Sequence, residues 1–298
     1  GTYDGASMKL YVDGVLINTV STTGTMTQNN SELLIGTRLS LPADTFNGKL
    51  DEIRIYNRAL TNGEIVQLYD GMIDTSKWAD LEFVREIVNE KLRSEVRAPN
   101  TSDATGYTYR WANNSLNFPL PDDVNSIKAD VSVLRIIHTN PNPDTRAMLT
   151  GRWYKWYEND TQKGDIWAAV FLGATSSGGL EARWEVTKQT NPEGTTWVSI
   201  AGDKFSTPVT SGEPYTLYIS YDSGVNQFTF KIGDETKTFG AGDGLPVRAG
   251  NANTPFKGLR TRVWLQGPTE SGYISATFDN VLKNGVDYDD FNDTSGMI

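Results

Sequence analysis

The chain has no cysteine and a single histidine, His138. The first absence excludes a disulfide scaffold, thiolate metal sites and cysteine nucleophiles. The second excludes a multi-histidine zinc site and leaves any nucleophilic triad only one base to draw on. No run of about eighteen apolar residues occurs, so no helix is long and apolar enough to cross a membrane. Cations are scarce: 27 Lys and Arg stand against 37 Asp and Glu, a net charge of −10. A surface of that sign repels phosphate backbones and anionic lipid, so nucleic acid and membrane surfaces are poor partners. Missing cysteine does not fix the compartment, because a large β core is stable without disulfides.

Aromatic residues are plentiful, with 8 Trp, 13 Tyr and 11 Phe in 298 residues. That supplies apolar surface for about two domains. The opening Gly1-Thr2-Tyr3-Asp4-Gly5 is neither a signal peptide nor a starting methionine, and it reads as the interior of a longer chain.

β signals fill the first seventy positions. Met8-Lys9-Leu10-Tyr11-Val12 and Val15-Leu16-Ile17 flank Asp13-Gly14, a two-residue hairpin turn. Leu33-Leu34-Ile35-Gly36 reads as a short buried strand. In Leu50-Asp51-Glu52-Ile53-Arg54-Ile55-Tyr56, Ile53 and Ile55 alternate with polar neighbours, the period of a half-buried strand. Thr61-Asn62-Gly63-Glu64 then forms a capping box for a short helix carrying Ile65, Val66, Leu68 and Tyr69.

From residue 71 onward short strands recur, separated by Gly, Pro, Asn and Asp. The clearest are 129–137, 147–157, 165–172, 180–187, 196–200, 215–221, 227–232, 259–265 and 273–281. Segment 81–96 has helix-like Glu and Arg content, but it reads as two strands joined at Asn89-Glu90. The fold class is therefore all-β, an antiparallel β-sandwich. The acidic stretch with Asp287, Asp289, Asp290 and Asp293 lacks EF-hand spacing and reads as a solvated linker. Gly71-Met72-Ile73 recurs as Gly296-Met297-Ile298, as though a tandem repeat began again at the end. The expected organisation is a partial unit over 1–70, a complete unit over 71–290, and a linker or next repeat over 291–298.

The stretch from Phe46 to Tyr69, with Thr2-Tyr3-Asp4-Gly5 and the Asp13-Gly14 hairpin, resembles the C-terminal half of laminin-G-like (concanavalin A-like) jelly rolls. In that family the capped helix follows the last strand of a full sandwich, so 1–70 would hold only its second half. The later unit resembles bacterial concanavalin A-like jelly rolls more loosely, through Ile73-Asp74-Thr75-Ser76-Lys77-Trp78 and Ala276-Thr277-Phe278-Asp279-Asn280-Val281. The resemblance implies an extracellular or cell-surface modular protein that binds polysaccharide or another glycan. It also implies a structural calcium held by Asp in the closing strand, which would be Asp51 in the first unit and Asp279 in the second. One such carboxylate with backbone carbonyls can clamp a sandwich's two ends, whereas the plainer reading has each Asp capping a turn or pairing with a cation.

Strand parity points to a glycan face. In Arg152-Trp153-Tyr154-Lys155-Trp156-Tyr157, Trp153 falls in phase with Ala147, Leu149 and Gly151, the more apolar set. Arg152, Tyr154 and Trp156 are then expected outward, with Trp167 of the next strand and Arg183. Sugar rings stack their C–H faces on aromatics, and their hydroxyls suit Arg and carboxylates. Burial in the core is the competing account of the same rings.

Enzyme signatures are incomplete. Laminarinase-type glucanases of this fold need carboxylates at alternating strand positions. The nearest run, Glu181-Ala182-Arg183-Trp184-Glu185, has Arg at its centre. Arg93-Ser94-Glu95-Val96-Arg97 with His138 resembles jelly-roll alginate lyases. However, Ile136-Ile137-His138 replaces their Gln-Ile-His, and Phe230-Lys231-Ile232-Gly233-Asp234-Glu235 lacks their Tyr. The expectation is a non-catalytic binding module. A purely structural or adhesive repeat and a degenerate lyase are the alternatives.

Overall fold

The computed structural model describes residues 1–12, 15–25, 34–36, 46, 48, 53, 55–60, 65, 82–98, 111–156, 164–190, 196–265 and 270–292. The chain divides into two compact units, Gly1–Trp78 and Ala79–Ile298, so the division falls slightly later than the boundary expected near residue 70.

The first unit carries one antiparallel sheet of β1 (Thr2–Tyr3), β2 (Ser7–Val12) and β3 (Val15–Ser21), in that order. Val12 pairs with Val15, as the hairpin reading requires. Alternation along β2 puts Met8, Leu10 and Val12 on one side, and each is about half exposed. Two expectations fail here. Residues 34–36 form a bend rather than a strand, with Gly36 at φ 73° and its carbonyl accepting the Phe46 N–H at 2.7 Å. Ile53 and Ile55, expected to face a core, are 51% and 72% exposed. Among the described residues of this unit no second sheet covers these apolar side chains, and a sheet with a bare apolar face is marginal. Most of the closing strand and capped helix lies outside the described residues.

The second unit is an antiparallel β-sandwich. Its strands are β4 (Glu82–Val88), β5 (Lys91–Ala98), β6 (Trp111–Asn117), β7 (Ser126–His138), β8 (Arg146–Trp156), β9 (Gly164–Ala174), β10 (Leu180–Gln189), β11 (Trp197–Lys204), β12 (Tyr215–Asp222), β13 (Gln227–Ile232), β14 (Glu235–Gly240), β15 (Lys257–Trp264), β16 (Gly272–Lys283) and β17 (Val286–Asp289). One sheet runs β11-β10-β9-β8-β15-β6. The other runs β14-β13-β12-β7-β16-β5-β4, with β17 against β16. Asn89 and Glu90 both have positive φ, 51° and 60°, which is the type I′ geometry that joins β4 to β5. The acidic segment expected as a linker instead supplies β17, folded back on β16 through Asn284 and Gly285 at φ 56° and 78°.

The core lies between the sheets and is rich in rings. From the β11–β6 sheet come Trp153, Tyr154, Trp156 and Trp184; from the facing sheet come Tyr221, Phe228, Phe230 and Phe239. Tyr154 stacks on Tyr221 at 4.7 Å, and Trp184 stacks on Phe230 at 4.8 Å. Such pairs add about 0.5–1.5 kcal/mol each beyond the area they bury. Polar ties join the sheets near the edge formed by β4 and β5. The Ser94 and Thr261 hydroxyls meet at 2.8 Å, and the Asn114 side-chain amide donates to the Val84 and Glu95 carbonyls.

Lys257 closes the core's rim. Its ammonium donates to the Pro121 and Val124 carbonyls, both at 2.8 Å, and lies over the Trp153 ring. Burial, partly offset by Asp122, brings its pKa down to about 8 from 10.5. Between those two values the unfolded chain holds a proton that the folded one has lost, so folding gains stability as pH rises from about 8 to 10.5. Denaturant midpoints of the wild type minus those of Lys257→Met should therefore climb over that interval. A flat difference contradicts the assignment. Residues 1–78 produced alone should bind an apolar dye and melt without a cooperative transition; a sharp calorimetric peak would refute that.

Candidate functional site

A single irregularity decides which residues meet solvent. In the pairing of β8 with β9, Arg152 lies opposite Trp167 but Tyr154 lies opposite Ile166. Trp153 is the extra residue of a β-bulge, and beyond it the side-chain alternation is inverted. Trp153 and Tyr154 consequently both enter the core, and Trp156 follows in phase with Tyr154.

The expectation that Tyr154 and Trp156 form a binding face is thus corrected. Tyr154 has no exposed surface, Trp156 has 3%, and the Tyr154 hydroxyl donates to the Pro246 carbonyl at 2.7 Å. Burial, with Tyr221 beside it, pushes the Tyr154 phenol well above its usual range. Tyr157 lies outside the described residues.

Arg152, Trp167 and Arg183 do share the outer face of the β11–β6 sheet, though not as an aromatic platform. Trp167 is only 8% exposed because other side chains lie over it. Register places Arg146 opposite Arg262, and Arg260 between Met148 and Ser115. Arg146, Arg152, Arg183, Arg260 and Arg262 accordingly occupy one face. Four of these guanidiniums sit over rings: Arg146 over Phe171 at 4.1 Å and Trp167 at 5.4 Å, Arg152 over Trp197 at 5.1 Å, Arg260 over Phe256 at 4.4 Å, and Arg262 over Trp264 at 4.9 Å. Desolvated contacts of this kind contribute up to about 2 kcal/mol.

Sequence reasoning missed Arg146, Arg260, Arg262, Trp197, Phe256 and Trp264. The alternation in Arg260-Thr261-Arg262-Val263-Trp264 contained the signal, since a strand puts its two arginines and its Trp on one side.

Carboxylates hold part of this layer. Arg146 pairs with Glu185 at 2.6 Å and Asp144 at 3.1 Å, and Arg183 pairs with Glu181 at 2.8 Å. Fully buried Asp165 accepts the Asn253 and Thr254 backbone N–H groups at 2.7 and 3.2 Å and lies 3.5 Å from Arg152. It thereby pins the segment that delivers Phe256, whose carbonyl accepts the Arg152 N–H at 2.8 Å. Burial depresses the Arg152 pKa, with Asp165 pulling the other way.

Of the two expected calcium ligands, one in each unit, only Asp279 lies among the described residues. Asp51 lies outside the described residues. Asp279 accepts the Asn280 N–H at 2.8 Å and sits 3.7 Å from the Lys91 ammonium. Asp130, opposite it across β7 and β16, accepts the Asn280 amide and the Thr216 hydroxyl. No third carboxylate joins them among the described residues. Calcium takes six to eight oxygens, and the chain entry expected to supply backbone carbonyls beside Asp279 lies outside the described residues.

Nor do Arg93 and His138 share a face. Strand β5 turns Ser94 into the core, which leaves Arg93 on the outer side, in an ion pair with Glu86. His138 is buried beside Gly272 and pairs across it in register with Ala98 of the inward set. Its Nδ1 accepts the Asn140 N–H at 3.0 Å, so Nε2 carries the proton given to the Trp264 carbonyl at 2.7 Å. Both nitrogens are in structural use.

Residues 1–66 match the family model described as the concanavalin A-like lectin/glucanases superfamily. No curated protein matches the chain. Among solved structures, the alginate lyase Aly36B is 14% identical at a TM-score of 0.36, over 72% of this chain and 91% of the lyase. An alginate lyase from Klebsiella pneumoniae is 13% identical at 0.37, over 66% and 82%. A legume lectin-like domain from Entamoeba histolytica is 10% identical at 0.31, over 68% and 90%.

The inverted parity has a direct consequence for stability. Tyr154→Ala should cost about 3–5 kcal/mol, as aromatic truncations in cores do, and Tyr154→Phe about 1 kcal/mol for the lost hydrogen bond. Urea denaturation of the intact chain measures both; a neutral Tyr154→Ala would restore the outward assignment.

Proposed function

We propose that the second unit is a non-catalytic carbohydrate-binding module whose binding surface is the outer face of the β11–β6 sheet. The observation that carries this reading is the layer of guanidiniums laid on partly buried rings, Arg152 with Trp197, Arg260 with Phe256 and Arg262 with Trp264. A sugar's C–H face stacks on such rings, while its hydroxyls accept from the arginines and donate to Glu181 and Glu185 beside them. The first unit's match to a lectin and glucanase superfamily supports the reading by analogy alone. On this reading the module acts in the extracellular space or at a cell surface, as one part of a modular protein.

Affinity electrophoresis of the intact chain through gels containing a panel of polysaccharides tests this. At least one polymer should retard the wild type, and Trp197→Ala and Trp264→Ala should each lower that affinity about tenfold, near 1.4 kcal/mol, with the far-ultraviolet spectrum unchanged. Equal mobility on every polymer would overturn the proposal.

A further inference from the structure

Charge on this face does not balance where it is most crowded. Of the five arginines, Arg146, Arg183 and Arg262 lie within 4.0 Å of Asp144, Glu181 or Glu185, and Arg152 reaches Asp165. Arg260 reaches no carboxylate among the described residues. Its Nε donates to the Ser115 hydroxyl at 2.7 Å, and its plane rests on Phe256. Its charged neighbours are Arg262, Arg146 and Arg152, all of the same sign. Burial and those three cations bring the Arg260 pKa down to about 9, and burial with Arg146 brings Arg262 to about 10.

The donors around it are also unspent. The Nε atoms of Arg146, Arg152 and Arg262 are buried without a hydrogen-bond partner. Arg146 is 1% exposed, so bulk solvent does not reach its unpaired N–H. Leaving such a donor unmade costs about 1–3 kcal/mol, more at a charged group. A chain of net charge −10 has ample carboxylates for this cluster, yet none of the described ones lies beside Arg260. What offsets like charges crowded in this way is an anion, and guanidinium forks match carboxylate and sulfate oxygens geometrically.

Resting on the proposed glycan face, we infer that its ligand is an acidic polysaccharide, with a carboxylate or sulfate group of one sugar seated on Arg260 between Arg146 and Arg262. The neighbouring rings of Phe256 and Trp264 would then stack the sugar that carries the anion or the next one along. Arg152 and Arg183 extend the cationic track across β8 and β10.

Isothermal titration of the intact chain with a polyuronate, a sulfated galactan and a neutral β-glucan, at low salt and at high salt, reads this directly. At least one acidic polymer should bind at least tenfold more tightly than the glucan, and its advantage should shrink with added salt. Which acidic polymer binds distinguishes carboxylate from sulfate. Arg260→Gln should lower acidic affinity at least tenfold while leaving the melting temperature level or higher, since it removes repulsion. Should that variant not fold, Arg262→Gln is measured in its place with the same expectation. Glucan bound as tightly as the acidic polymers, or acidic binding untouched by the substitution, overturns the anion site and leaves the glycan face standing. Binding of none of the three overturns the anion site, and with the gel panel also blank the glycan face falls too.

Discussion

Everything on the outer face of the β11–β6 sheet depends on the extra residue at Trp153. Without a bulge there, strict alternation would send Tyr154 and Trp156 outward and turn Lys155 toward the core. With it, two adjacent rings go inward to meet Tyr221 and Phe228, and Arg152 stays on the opposite side beside Trp167. One inserted residue thus fills the core with aromatics and keeps an arginine layer over the same strands. Both outcomes follow from the period of two once its phase has been shifted.

The architecture was largely legible in the sequence because it depends on local chemistry. Eleven strands of the sandwich, the turn at Asn89-Glu90 and the hairpin pairing Val12 with Val15 are specified by short apolar runs between turn-forming residues. What escaped had a tertiary cause. Nothing local to Arg152-Trp153-Tyr154 announces a bulge; it is fixed by the partner strand, where Ile166 must face the core. Three strands, β6, β14 and β17, were missed because their polar residues read as connection. Of the expected binding residues, Arg152, Trp167 and Arg183 do share a face, but two of the arginines that crowd it, Arg260 and Arg262, come from β15, far along the chain. Sequence pattern gives the face of each strand and not which strands become neighbours.

A net-acidic chain that gathers its arginines in one place separates two electrostatic tasks. Diffuse negative charge keeps the surface soluble, while the local positive field survives because rings and buried strands exclude water around it. Asp165 belongs to both schemes. Its carboxylate is fully buried, yet it mostly accepts backbone N–H groups, so it fixes a loop and only moderately offsets Arg152.

The alternation of β15 also bears on how such a surface diverges. Thr261 and Val263 belong to the interior, whereas Arg260, Arg262 and Trp264 project the other way. Substitutions at the projecting positions leave the interior lattice untouched, so the chemistry of this face is free to change at little cost to the sandwich's interior. Arg146 is the exception. Pressed between Phe171 and two carboxylates with almost no exposed surface, it is the one arginine of the set that drift is least able to replace.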